Sequence, residues 1–70
     1  MTREALQRFI GQTVAITHDV PGGWACDRLR VMELNDETVA GESGGTWLRI
    51  SLPKVVHVSV TGLDTRQKYG

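Results

Sequence analysis

Cysteine is nearly absent: Cys26 is the only one in 70 residues, so no disulfide can form within the chain. The Cys/His clusters that hold a structural zinc are missing as well. Net charge is the second absence. Eight Lys and Arg residues balance eight Asp and Glu. A chain without excess positive charge is not a generic binder of phosphate backbones, whose sequence-independent affinity comes from Lys and Arg. Long apolar runs are the third absence. Nothing approaches the ~20 residues that span a bilayer, and Met1-Thr2-Arg3-Glu4 lacks the hydrophobic segment of a signal peptide. The expectation is a cytoplasmic protein with no membrane association. A domain this short buries only roughly 60% of the surface that its unfolded chain exposes. With disulfides and metals set aside, oligomerisation is the remaining way to stabilise so small a core.

What is present is alternation. Leu48, Ile50 and Leu52 alternate with Trp47, Arg49 and Ser51, and Val56, Val58 and Val60 resume the period after Pro53. Each half predicts a strand with one buried face. Pro53 has no backbone N–H and a fixed φ, so it belongs in the connection, expected as one short helical turn. Upstream, Thr2 is placed to cap a helix, Glu4 falls in its first turn, and Leu6, Phe9 and Ile10 recur at helical spacing before Gly11 ends it. Val14 and Ile16 alternate in a first strand over 12–17, and His18-Asp19-Val20-Pro21-Gly22-Gly23 reads as a loop.

The second strand, 24–34, changes phase midway. Leu29 and Val31 share one parity and Met32 and Leu34 the other, which requires a bulge or a sharp bend. Asn35-Asp36 is a tight turn, 38–42 a short third strand around Val39, and Ser43-Gly44-Gly45-Thr46 the turn into the fourth. Residues 1–60 thus form one domain, and 61–70, with little apolar pattern, a loose tail.

A short N-terminal α-helix followed by five strands, the last two joined by a helical turn, predicts an all-β fold. The layout resembles the SH3-like small barrels, and among them the five-stranded Sm-like family. The resemblance covers about residues 3 to 60. Met32-Glu33-Leu34-Asn35-Asp36-Glu37 stands where the family's first motif places an Asp and an Asn around the turn after the second strand. Ser51-Leu52-Pro53-Lys54 stands where its second motif has Arg-Gly or Lys-His. What the resemblance implies is a strongly bent five-stranded barrel, subunits paired edge to edge in a ring, and RNA binding.

Strand parity selects the candidate side chains. If Leu48 and Ile50 point inward, Trp47 and Arg49 point outward, and Trp24, Arg28 and Arg30 oppose Leu29 on the second strand. Indole faces and guanidinium forks on solvent-side positions suit base stacking and phosphate pairing, and Lys54 adds a further cation. The same residues also suit packing, with each Trp capping an open barrel end or lying in a subunit interface under Arg stems. Val55, Val56, Val58 and Val60, on a last strand with an uncovered edge, are the expected oligomer interface.

Other constellations carry less. His18, Asp19, Cys26 and His57 match no metal-ligand spacing, and Cys26 reads as a small buried apolar residue. The glycine pairs at 22–23 and 44–45 lack the context of a phosphate loop and read as turns. Glu33, Asp36, Glu37 and Glu42 read as a charged hairpin tip, not as paired catalytic carboxylates. The expectation is a non-enzymatic homo-oligomer that binds RNA, without metal or cofactor. The alternative is an SH3-like protein-interaction or scaffold module that binds no nucleic acid.

Overall fold

A computed structural model describes residues 1–60 of the chain; the tail expected over 61–70 lies outside the described residues. The polypeptide runs through a helix α1 (Arg3–Gln7) and strands β1 (Thr13–Val20), β2 (Gly23–Leu34), β3 (Thr38–Ser43) and β4 (Thr46–Ser51). A 3-10 turn (Leu52–Lys54) that contains Pro53 then leads into β5 (Val55–Val60). Thr2 caps α1, its Oγ1 accepting from the Ala5 N–H at 3.2 Å. The helix is shorter than the spacing to Gly11 suggests. Leu6 and Phe9 are buried, while Ile10 faces solvent. Beyond the helix the Gly11 N–H donates to the Val31 carbonyl at 2.7 Å and the Val31 N–H to the Gln12 carbonyl at 2.9 Å, which fastens this segment to β2.

All strand pairings are antiparallel, in the order β4-β3-β2-β1-β5. The first hairpin is tighter than the loop expected over 18–23. His18, Asp19 and Val20 stay in register with Ala25, Trp24 and Gly23, so the connection shrinks to Pro21-Gly22. Ladder hydrogen bonds satisfy the backbone there, and Pro-Gly suffices to reverse the chain. The next link is held by Asn35, whose Oδ1 accepts from the Glu37 and Thr38 N–H groups at 2.7 and 2.8 Å.

Two bulges set the phase of the sheet. In β2, Val31 pairs with Gly41 and Glu33 with Ala40, which leaves Met32 as the extra residue. Leu29 and Val31 point to the core before it and Leu34 after it. Met32 itself, expected inward with Leu34, is exposed: it keeps the outward parity of Arg28 and Arg30, and the bulge turns Leu34 inward after it. In β5, Val55 stands opposite His18 and His57 opposite Thr17, so Val56 is the extra residue. The inward pair is therefore Val55 and Val58, and not the Val56, Val58 and Val60 series that simple alternation predicts. Val56 and Val60 are exposed.

A single apolar cluster gathers Leu6, Phe9, Val14, Ile16, Leu29, Val31, Val39, Ile50, Leu52 and Val55, with Leu34, Leu48 and Val58 packed against it. Among the described residues no polar or charged side chain is buried. Ile50 and Val55 come from the two outermost strands, so the sheet must curl for one cluster to include both. Its hydrogen-bonded ladder is open, with β4 and β5 as the two edges. Where β3 crosses β2, the backbones approach so closely that a Cβ on Gly41 would lie 1.7 Å from the Arg30 carbonyl oxygen.

Candidate functional site

The outer face of the sheet carries the polar chemistry. Along β2, Trp24, Cys26, Arg28 and Arg30 are exposed and alternate with Ala25, Asp27, Leu29 and Val31. Cys26, expected to be buried, therefore faces solvent, because it shares the parity of the arginines and not that of Leu29. The β2–β3 and β3–β4 registers then build a row across three strands: Arg30 stands opposite Glu42, and Glu42 opposite Trp47. Around this row lies a cavity of about 340 Å³ lined by Arg30, Met32, Glu42, Gly45, Thr46 and Trp47. Met32 reaches it by continuing the outward parity of Arg28 and Arg30. The closing turn Gly44-Gly45 has positive φ at both residues, 59° and 88°, as a type I′ hairpin turn requires, and it leaves that end of the cavity without side chains.

Of the residues expected to bind RNA or a partner, the fold brings Arg30 and Trp47 together. Arg28 lies two positions from Arg30 on the same face. Trp24, at the far end of β2, is six positions from Arg30, about 20 Å at the rise of a strand. The two tryptophans therefore do not form one site. Arg49 is engaged elsewhere: its Nη2 donates to Glu33 Oε1 and its Nη1 to Thr38 Oγ1, each at 3.1 Å. Ala40, in register between Glu33 and Arg49, is fully covered although it lies on the outer face. Lys54 ends the 3-10 turn, exposed and outside the cavity.

The charges are more interleaved than their order in the chain suggests. Arg3 lies 3.4 Å from Asp36, Arg49 bridges to Glu33, and the guanidinium of Arg8 sits 4.9 Å from the centre of the Phe9 ring. Arg28, Arg30 and Lys54 have no acidic partner among the described residues. Neither does Glu42 have a basic one, although it faces Arg30 across the ladder.

A polar pair lies at the margin of the inner face: His18 Nε2 and Asp27 Oδ2 are 2.8 Å apart and partly buried. Cys26 lies on the opposite face from this pair, and among the described residues no three His, Cys, Asp or Glu side chains converge as metal ligands. Of the four valines expected at an interface, Val55 belongs to the core and Val58 is half-buried against it, which leaves Val56 and Val60 as apolar surface on the β5 edge. The free β4 edge is six residues long, as is β5.

Met32 and Glu42 are the site residues that sequence reasoning missed. The phase break at Val31-Met32 signals a bulge but not which residue it ejects, and the Arg30–Glu42 pairing depends on that choice. Among the described residues no helix is long and apolar enough to cross a membrane. No protein-family model, no characterised protein and no solved structure matches the chain.

Proposed function

We propose that this chain is a non-enzymatic, Sm-like small-barrel protein that assembles into a ring-like homo-oligomer and binds single-stranded RNA on the outer face of its sheet. The observation that carries the reading is the pair Arg28 and Arg30, unpartnered among the described residues, beside the half-exposed indole of Trp47. An ion left without a counterion on a folded surface is free to take a phosphate, and an exposed indole offers a base a stacking face worth about 1–3 kcal/mol. Zero net charge is compatible with this division of labour. Most of the other described cations are spent on intramolecular contacts, so binding depends on a small local patch repeated in each subunit, whose weak contacts gain from multivalency. Two six-residue edges, β4 and β5, give one subunit the means to pair with the next, with Val56 and Val60 covered in the process.

Fluorescence anisotropy with a labelled single-stranded RNA, repeated over a range of salt concentrations, tests the reading. Affinity is expected to fall as salt rises, and Arg28→Ala is expected to flatten the log–log slope by about 0.7 for its lost phosphate contact. Absence of binding at low salt would overturn RNA binding.

The second reading, a protein-interaction or scaffold module, draws on the exposed apolar side chains Met32, Trp47, Val56 and Val60. It predicts partner binding that is unaffected by Arg28→Ala and lost in Trp47→Ala.

A further inference from the structure

The Trp47 cavity contains one cation and one anion, and this combination is poorly suited to a phosphate. Arg30 would attract it and Glu42, the next residue across the ladder, would repel it. What such a pair suits is a flat, neutral group that carries hydrogen-bond donors and acceptors side by side. A nucleobase is such a group, and the row Arg30–Glu42–Trp47 distinguishes among the four.

Guanine presents O6 and N7 as acceptors, which a guanidinium reads with two parallel N–H donors, and adjoining them N1–H and the 2-amino group as donors, which a carboxylate accepts together. Adenine turns an acceptor, N1, toward the same carboxylate. Uracil offers it a single donor, N3–H, between two acceptors, and cytosine a single donor, the 4-amino group, beside the acceptor N3. Cross-strand neighbours have Cβ atoms roughly 5 Å apart, close enough for the two side chains to meet adjoining edges of one base. The indole of Trp47 and the thioether of Met32, both about half-exposed in the free protein, supply the apolar faces. Arg28, about 7 Å along β2 from Arg30 at the strand rise, is left for the adjoining phosphate.

We propose that this cavity binds a guanine base, with Glu42 accepting from N1–H and the 2-amino group, Arg30 donating to O6 and N7, and Trp47 stacking. The proposal builds on the RNA reading by naming the base that the outer face selects. Glu42 is then the specificity residue: it adds nothing to phosphate affinity and opposes bases that cannot donate twice.

The test uses the full chain, labelled short uridine oligonucleotides carrying one central guanosine, adenosine, inosine or uridine, and calorimetry with GMP and AMP alone. The guanosine oligonucleotide is expected to bind roughly tenfold or more tightly than the others, the discrimination of a good two-point base contact. Inosine, which lacks only the 2-amino group, is expected to lose most of that margin. Glu42→Gln, at an exposed position, is expected to erase the preference, weakening the guanosine oligonucleotide and tightening the uridine one as the opposing charge is removed. Circular dichroism of this variant separates loss of selectivity from loss of fold. Equal affinity for all oligonucleotides would overturn the guanine site and leave RNA binding standing. Binding of GMP over AMP with no oligonucleotide bound would support the guanine site and overturn the RNA reading. A Glu42→Gln variant that is folded and still prefers guanosine would overturn the role given to Glu42.

Discussion

At the scale of the residue, Gly41 shows how a single missing side chain fixes the geometry of the site. Its α-carbon faces the Arg30 carbonyl where β3 crosses β2, and a methyl group there would meet that oxygen at 1.7 Å and the Arg30 carbonyl carbon at 2.8 Å. Both obstacles are backbone, which cannot rotate aside as a side-chain tip can. Gly41→Ala is therefore expected to force the strands apart and to cost roughly 3 kcal/mol or more, at or above the top of the usual range for overpacking. The total stability of a chain this size is only about 4–10 kcal/mol, so a urea melt should show the variant largely unfolded or with a sharply lowered midpoint. A midpoint equal to wild type would show that the close approach relaxes easily. The same contact aligns Arg30 with Glu42, one register step away, so the cavity depends on a residue that takes no part in lining it.

At the scale of the element, the bulges decide which side chains are structural and which are surface. Val55 and Val56 are adjacent valines with opposite fates, one in the core and the other the extra residue of β5. Val55→Asp places an unpaired carboxylate in the core cluster and is expected to cost roughly 3 kcal/mol or more. Val56→Asp is expected to change the stability of the subunit by about 0.5 kcal/mol or less. Chemical denaturation of the two variants, done at a concentration low enough to dissociate any assembly, measures the difference. Similar losses in both would contradict the bulge.

These elements also show what could be read in the chain and what could not. The alternation through Leu48, Ile50 and Leu52, the cap at Thr2 and the corner at Pro53 were legible because each is a local pattern with a local cause. The phase break at Val31-Met32 was legible as a bulge. The exposure of Met32 and the inward turn of Val55 were not, because a bulge shifts parity by one and its exact place is set by the partner strand. Glu42 appeared as one charge in an acidic run, and only the register across β3 puts it beside Arg30 and Trp47.

At the scale of the whole molecule, the open ladder is the feature with consequences for assembly. The β4 edge and the β5 edge differ in sequence, so pairing the first of one subunit with the second of another is heterologous: it closes into a ring or extends as a filament, according to the angle between neighbours. Sedimentation velocity over a micromolar concentration series is expected to give one closed species of several subunits, and Val56→Asp to shift it toward monomer with the fold retained. A wild-type chain that stays monomeric at high micromolar concentration would remove the assembly part of the proposal.

The strand order also carries a sequence in time. From β1 to β4 each strand pairs with the one made just before it, through short turns, and such hairpins form within microseconds. The pairing of β5 with β1 alone reaches back across nearly the whole described chain, joining Val60 to Val14, and its closure bears the largest entropic penalty. Because β5 delivers Val55 and Val58 to the core, a nascent chain remains an unsealed meander, greasy on one side, until that strand has left the ribosome.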